Sequence, residues 1–388
     1  MLFGSWIEAS VRPVRSEPVG RKHEMEFTVD RKRLHDALQV VGGVALVRTL
    51  KDVLKNIYME AKDGALILKA TDYEVGIMVC ITDVNIKNEG VVLLPSAQIV
   101  GIFREVTEPE VTFKAEGSQC AICAGRSRFR VVLYDPELFP GLPEFPAQVA
   151  SRVGRDDILK MIKQIVFASA EERTRYAFDG IKLLIQDEKI MMVSTDGKRL
   201  GYYWMPSDPE DAGPVDALLP ARAMPHFIKA LGTRDESCEL GFEGNRFGIR
   251  SDNVEVYCQQ IEGSFPNFAP LIEKDLAYRI TLDSEELLSS IRRASLFAGK
   301  ESRIVQLKLD SGNLNVNSND AEVGEAETDL PVEYDGESVV LAFNPDYLLD
   351  FLKIVGGGSV HMEFKDDQVA TRWSAGENFQ YLVMPISR

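Results

Sequence analysis

The sequence predicts an α+β chain made of three tandem copies of a two-helix, antiparallel-sheet unit. Two markers and one local pattern carry that prediction. Thr71-Asp72, Thr195-Asp196 and Asn319-Asp320 each follow an apolar, strand-like run, and the three aspartates stand 124 residues apart. Leu93-Leu94-Pro95, Leu218-Leu219-Pro220 and Ala342-Phe343-Asn344-Pro345 come next, with their prolines 125 residues apart. Two independent markers with nearly one period are the signature of internal repetition. Around each pair of markers the order is the same: strand, helix, strands, proline, second helix, antiparallel strands.

Each copy opens with a short strand and a helix, over residues 26–29 then 31–41, 152–153 then 156–168, and 278–282 then 284–297. Leu34, Ala37, Leu38 and Val41 fall on one helix face, as do Ile158, Ile162 and Ile165, and Leu287, Leu288 and Ile291. Asp30 and Asp283 stand where an N-cap is needed, with Glu286 as a capping-box partner for the second. Strands at 65–70 and 74–81 follow in the first copy. After the proline marker the second helices span 96–106, 221–231 and 346–355, since a proline costs no intrahelical N–H at a helix start. Closing strands are expected at 110–114, 119–124 and 128–133, at 239–242 and 246–250, and at 360–364 and 368–373. They flank turns at 116–118, 243–245 and 365–367. Linkers near 143–151 and 273–277 set domains at 25–149, 150–275 and 276–388. Residues 1–24 read as a flexible extension, or as an upstream start before a natural beginning at Met25. Three copies do not close a small ring, but the six copies of two chains do, and head-to-tail strand pairing would cover exposed sheet edges.

Composition bounds the function. The 45% hydrophobic and 27% charged content of these 388 residues is that of a globular protein with several cores. No run approaches the roughly 18 apolar residues of a membrane span, and residues 1–24 do not make a secretory signal. Five cysteines without secretory context imply free thiols in a reducing cytoplasm. Cys120 and Cys123 form a CxxC pair, but their odd spacing on a strand sends them to opposite faces, and no second pair completes a four-ligand zinc site. No metal or cofactor is expected. Gly197-Lys198-Arg199 lacks the upstream glycines of a phosphate loop, and no GxSxG, HExxH or GxGxxG pattern occurs. Four histidines in unrelated contexts, and acidic pairs that read as a helix start and a turn, argue against an enzyme.

The net charge of −16 sits badly with nucleic-acid binding unless basic residues are gathered locally. They are. Lys160 and Lys163 lie opposite Ile158, Ile162 and Ile165, and Arg292 and Arg293 flank Ile291. Arg104 and Lys229 each stand nine residues past their prolines, and Lys353 eight past its own. Helices carrying these residues into one hole would give an acidic protein a mildly basic interior.

The chain from Met25 to Arg388 resembles the bacterial DNA polymerase III beta subunit, the sliding-clamp family. The resemblance rests on Met25-Glu26-Phe27-Thr28-Val29, Gly125-Arg126-Ser127-Arg128-Phe129, Thr195-Asp196-Gly197-Lys198-Arg199-Leu200, Gly263-Ser264-Phe265-Pro266-Asn267-Phe268 and Tyr381-Leu382-Val383-Met384-Pro385, in that order and spacing. It implies three clamp-fold domains per chain and a head-to-tail homodimeric ring with helices inside. Such a ring encircles double-stranded DNA without regard to sequence. Polymerase III alpha subunit, clamp loader, other polymerases and repair proteins would bind through short peptides with a Gln and bulky apolar residues.

For the peptide cleft the resemblance implies Phe178, Thr195, Gly197, Lys198, Arg199, Leu200, Pro266 and Leu271 from the second domain and its link. From the third domain it adds Asn344, Tyr347, Val369, Thr371, Leu382, Met384, Pro385 and Ile386. Apolar walls with a few polar groups suit an extended peptide. Arg48, Arg175 and Tyr176 are implied as further DNA-facing residues, and Arg126, Arg128 and Phe129 as a dimer seam against Leu296, Phe297, Glu325 and Glu327. Lys198, Phe178 and Pro270 depart from the family's usual His, Leu and Arg, which leaves a diverged paralogue without polymerase traffic as the alternative reading.

Overall fold

The computed structural model describes residues 24–45, 51–146, 149–170, 177–207, 214–232, 237–251, 253–299 and 303–386. Arg48, Arg175 and Tyr176 therefore lie outside the described residues, as do residues 1–23 of the extension.

The first unit runs β1 (Met25–Asp30), α1 (Arg31–Ala45), β2 (Asn56–Lys62), β3 (Ala65–Thr71), β4 (Val75–Ile81), β5 (Asn85–Asn88), β6 (Gly90–Pro95), α2 (Ser96–Glu105), β7 (Glu110–Glu116), β8 (Gln119–Ala124) and β9 (Ser127–Val132). The second runs β10 (Val149–Gly154), α3 (Arg155–Ile165), β11 (Gly180–Gln186), β12 (Lys189–Thr195), β13 (Arg199–Pro206), β14 (Val215–Pro220), α4 (Met224–Leu231), β15 (Ser237–Glu243), β16 (Arg246–Ser251) and β17 (Val254–Gln259). A short α5 (Ala269–Ile272) lies in the link to the third unit. That unit runs β18 (Tyr278–Asp283), α6 (Ser284–Ser295), β19 (Val305–Asp310), β20 (Asn313–Asp320), β21 (Gly324–Pro331), β22 (Val339–Phe343), α7 (Pro345–Val355), β23 (Ser359–Phe364), β24 (Thr371–Ala375) and β25 (Phe379–Val383).

Local chemistry accounts for the repeat markers. In the first copy Asp72 Oδ1 accepts from the backbone N–H of Glu74 at 2.9 Å and of Val75 at 2.7 Å, and Thr71 Oγ1 donates to Val75 O at 2.8 Å. Asp196 accepts from Lys198 N at 2.9 Å and Arg199 N at 3.0 Å, and Asp320 accepts from Glu322 N at 3.0 Å. The Thr–Asp pair, Asn–Asp in the third copy, is thus a side-chain-closed turn between the third and fourth strands of each copy. Asp30 and Asp283 cap α1 and α6 as expected, through the N–H groups of Arg33 and of Glu285 and Glu286.

Several boundaries differ from those expected. The helix expected at 221–231 begins as a 3-10 turn, Ala221–Ala223, and becomes α-helical only at Met224. The helix expected to reach 168 ends at Ile165 and tightens into a 3-10 turn, Val166–Ala168. The strand expected at 368–373 begins at Thr371, because Asp366 Oδ1 accepts from Gln368 N and lengthens the turn. β10 begins at Val149, inside the stretch read as a linker.

The strands form four antiparallel sheets: β5-β1-β7-β8-β9, β10-β15-β16-β17-β4-β3-β2-β6, β14-β11-β12-β13-β25-β24-β23-β18 and β21-β20-β19-β22. Both eight-stranded sheets are shared between neighbouring units. At each junction the last strand of one unit pairs with the fourth strand of the unit before it, β17 with β4 and β25 with β13. The helices lie beneath the sheets. α1 packs on α2, α3 on α4 and α6 on α7, while α1 meets α4 and α3 meets α7 across the junctions. One helix layer therefore runs through all three units, backed by sheets. Burial is continuous from Met25 and Phe27 through Ile158, Phe227 and Phe247 to Phe351 and Tyr381.

Candidate functional site

At the second junction the pairing of β13 with β25 leaves an apolar cavity of about 220 Å³. Leu200 and Leu382 line it and pack with Val193 in a small buried cluster, against which Tyr202, Phe265, Phe268, Ile272 and Ala370 are packed. Leu271 is 48% and Met384 44% exposed, so two large apolar side chains stand at the mouth, in contact with water. The Thr–Asp turn supplies the polar edge. Gly197 has φ +88°, and the Phe178 ring lies 3.0 Å from where a Cβ would project, so a side chain here would be both strained and crowded. Thr195 Oγ1 donates to Arg199 O at 2.5 Å and accepts from Gly197 N at 3.0 Å. Lys198 is exposed and has no carboxylate within 4.0 Å among the described residues.

Arg199 fixes the turn to the third unit. Its Nε donates to Asp196 Oδ2 and its Nη1 to Asp350 Oδ2, both at 2.9 Å, and its guanidinium lies 4.6 Å from the centre of the Tyr347 ring. Burial works against the charge, but Tyr381, Asp350 and Asp196 outweigh it and hold the guanidinium above its ordinary range.

Ten of the expected cleft residues line this cavity: Phe178, Thr195, Gly197, Lys198, Arg199, Leu200, Pro266, Leu271, Leu382 and Met384. The other six lie outside its lining. Asn344 caps α7 by accepting from Asp346 N at 2.9 Å, and Tyr347 sits under Arg199 while its carbonyl accepts from Tyr381 Oη at 3.0 Å. Thr371 is wholly buried; it donates to Val383 O and accepts from Trp373 Nε1, so it clamps β24 to β25 and does not reach the cavity. Val369 is half-buried, Pro385 buried and Ile386 exposed with its N–H on Ala342 O at 2.7 Å. Asn267, Phe268 and Ala370 also line the cavity and were missed, although Asn267 and Phe268 belong to a quoted motif. A larger cavity of about 700 Å³ lies behind Arg199, but its arginines are already paired, Arg199 with Asp350 and Arg222 with Glu74.

The first junction is built alike and filled differently. Gly76 and Tyr257 stand where Leu200 and Leu382 stand in the second, and a Cβ at Gly76 would lie 2.0 Å from the Tyr257 ring. Tyr257 thus occupies the space that is open at the second junction. The cavity beside it, about 360 Å³, is lined by Lys69, Arg250 and Glu255 as well as by Met78, Leu142 and Phe145. Gly76→Ala should lower stability by about 1–3 kcal/mol through overpacking, seen as a lower midpoint in thermal unfolding. An unchanged midpoint would mean that Tyr257 moves aside freely.

On the helix layer Arg104, Lys160, Lys163, Lys229, Arg292, Arg293 and Lys353 are all exposed. Arg293 donates to the Ser289 and Ser290 hydroxyls, and Lys353 lies 3.7 Å from Asp350. The other five have no ion-pair partner among the described residues. On two edge strands lie the residues expected at the seam: Arg126, Arg128 and half-buried Phe129 are on or beside β9. Glu325 and Glu327 are exposed on β21, next to Leu296 at the end of α6, which is 73% exposed. Phe297 packs 3.6 Å from the Cβ position of Gly324. Cys120 faces the core, where burial pushes its thiol up to about 12, and Cys123 faces away. Among the described residues no three His, Cys, Asp or Glu side chains gather as a metal site, and no helix is long and apolar enough to cross a membrane.

Comparison with known proteins adds a family. Residues 25–143, 152–267 and 270–387 match the N-terminal, central and C-terminal domains of the DNA polymerase III beta subunit. The beta sliding clamp of Chlamydia muridarum is 28% identical over 332 residues, covering 85% of this chain and 90% of that protein. That of Escherichia coli K12 is 25% identical over 365 residues, covering 93% and 100%. The Bacillus subtilis DNA polymerase sliding clamp crystal structure shares the fold, with a TM-score of 0.88 at 22% identity over 94% of this chain and 100% of that one.

Proposed function

Because this chain belongs to the DNA polymerase III beta subunit family, matched by its three domains in order, we propose that it is a DNA sliding clamp. Two copies close a ring around duplex DNA and tether the replicative polymerase to it. The observation that carries this reading is the single helix layer, with unpaired cations on its exposed side, in a chain of net charge −16. Helices turned inward put those cations towards phosphate and leave the acidic surface outside. The protein acts as a processivity factor in the cytoplasm and performs no chemistry of its own. Its domains are taken as 25–149, 150–275 and 276–388.

The cleft at the second junction is the docking site for partner peptides, including those of the polymerase III alpha subunit, the clamp loader, other polymerases and repair proteins. Its support is compositional: an apolar floor, two exposed apolar side chains at the mouth, and a turn whose backbone groups edge it. The residues Lys198 and Phe178 in its lining bear on a second reading, a paralogue that keeps the ring and has lost polymerase binding. Fluorescence anisotropy with a labelled peptide carrying a Gln and paired Leu or Phe decides between them. Saturable binding is expected, with Lys198→His changing it by less than about 1 kcal/mol because an exposed ammonium attracts weakly. Absence of binding to any such peptide would favour the paralogue.

A further inference from the structure

Arg199 belongs to two regions at once. It lines the apolar cavity, and its side chain, only 12% exposed, reaches into the third unit. There its Nη1 donates to Asp350 Oδ2 at 2.9 Å, and Tyr347, one turn earlier on α7, has its ring centre 4.6 Å from the guanidinium. Asp350 has a second cation. Lys353 Nζ stands 3.7 Å from the other carboxylate oxygen, Oδ1, and Lys353 is exposed on the helix layer. One carboxylate thus holds a cation from the cleft and a cation from the face proposed to meet DNA.

The contacts continue from Arg199 to the mouth of the cavity. Its Nε donates to Asp196 Oδ2 at 2.9 Å, while Asp196 Oδ1 accepts from the backbone N–H groups of Lys198 and Arg199. The turn so fixed offers Lys198 O to Met384 N at 2.9 Å, and Met384 lines the cavity. The first junction has no such link. Val75 stands there in the place of Arg199, since Val75 faces Cys258 as Arg199 faces Val383. Pro225 follows Pro220 at the spacing at which Asp350 follows Pro345. The ion pair that the first junction does have, Glu74 with Arg222, is exposed on both sides. Of these two junctions, only the one with an open apolar cavity ties its turn to the following helix through a largely buried arginine.

We infer that Asp350 couples the two sites, so that DNA drawing Lys353 away from it tightens the hold on Arg199 and raises the affinity of the cleft for partner peptides. This rests on the ring and cleft readings above and adds a positioning residue that neither contains. The sign follows from charge. While Lys353 sits beside Asp350 it repels the Arg199 guanidinium and shares the carboxylate with it. A phosphate that pairs with Lys353 leaves the carboxylate to Arg199, and through Asp196 the turn and Met384 are held more firmly. The Lys353–Asp350 pair is partly exposed and therefore weak, so the expected gain is about two- to fivefold. By linkage the peptide tightens duplex binding by the same factor.

The test is fluorescence anisotropy of a labelled peptide carrying a Gln and paired Leu or Phe, on the full-length protein, with and without saturating short duplex at low salt. Wild type should bind the peptide about two- to fivefold more tightly when duplex is present. Lys353→Met should show the tighter affinity without duplex and gain nothing when duplex is added. Asp350→Asn should bind the peptide more weakly than wild type and be indifferent to duplex. A merely structural link would lower the affinity of Asp350→Asn and leave the duplex effect in place. Sedimentation and thermal unfolding check that each variant is a folded dimer, and Lys353→Met, changed at an exposed position, carries the test if Asp350→Asn does not fold. An unchanged or lower peptide affinity with duplex in wild type, or an equal gain in wild type and Lys353→Met, would overturn the coupling and leave the ring and cleft standing. Failure of the wild type to bind the peptide at all would overturn the cleft reading, and failure to bind duplex at low salt the reading of the helix layer.

Discussion

Removing residues 384–388 should abolish capture of partner peptides and leave the dimer intact. Met384 closes one wall of the cavity, its N–H donates to Lys198 O at 2.9 Å, and Ile386 N–H ties the tail to Ala342 O at 2.7 Å. Truncation therefore strips the wall and frees the tail, while β25 keeps its pairing with β13 and β24 through Val383. Covering one large apolar side chain is worth about 1.5–3 kcal/mol, and freeing the tail costs the wall the order that Met384 had. The expected loss exceeds about 2 kcal/mol, more than thirtyfold in Kd. Calorimetry measures it, and sedimentation shows whether the dimer survives, since the seam proposed for it involves β9 and β21, edge strands of other sheets. Met384→Asp should lower affinity in the same direction with the tail still anchored. Unchanged affinity in both variants would move the partner site elsewhere.

What the sequence disclosed here was governed by range. The Thr–Asp markers were legible because the turn they close is local, a carboxylate accepting from N–H groups two and three residues on. Helix faces were legible for the same reason. α4 starts late because its first turn is a 3-10 turn ahead of Pro225, which has no N–H to donate, and spacing alone does not tell 3-10 from α geometry. Pairing of β17 with β4 and of β25 with β13 joins residues more than a hundred positions apart and leaves no local trace. The same limit hid Phe268, which meets Tyr202 of β13 only because the link folds back, and Ala370, which is brought there by the pairing of the adjoining β24 with β25. The resemblance to a family reached the cleft from the other side, naming ten residues that the fold gathers around one cavity and Thr371, which it buries.

Loaded onto a nicked circle, the protein should survive salt that strips it from short linear duplex, and it should be released when the circle is cut. Contacts between Lys or Arg and phosphate weaken steeply with salt because bound counterions must return. The helix layer offers few such contacts, with Arg104, Lys160, Lys163, Lys229 and Arg292 spread over four helices of an acidic chain. Equilibrium affinity for linear duplex is accordingly weak. A closed ring is held by linkage, and its escape rate is set by opening of the seam. Residence on the circle should then follow the seam, not the DNA contacts. Arg128→Glu should shorten residence on the circle with little effect on linear binding, and Lys160→Ala with Lys163→Ala should do the reverse. Very high salt, at which the screening length falls to about 3 Å, should release the ring gradually from intact circles by weakening the attraction between opposite charges proposed to face each other across the seam. Gel filtration of loaded circles before and after cutting reads the outcome. Equal salt sensitivity on circular and linear DNA, or a sequence-specific footprint, would show that the protein is held by contacts and would end the topological account.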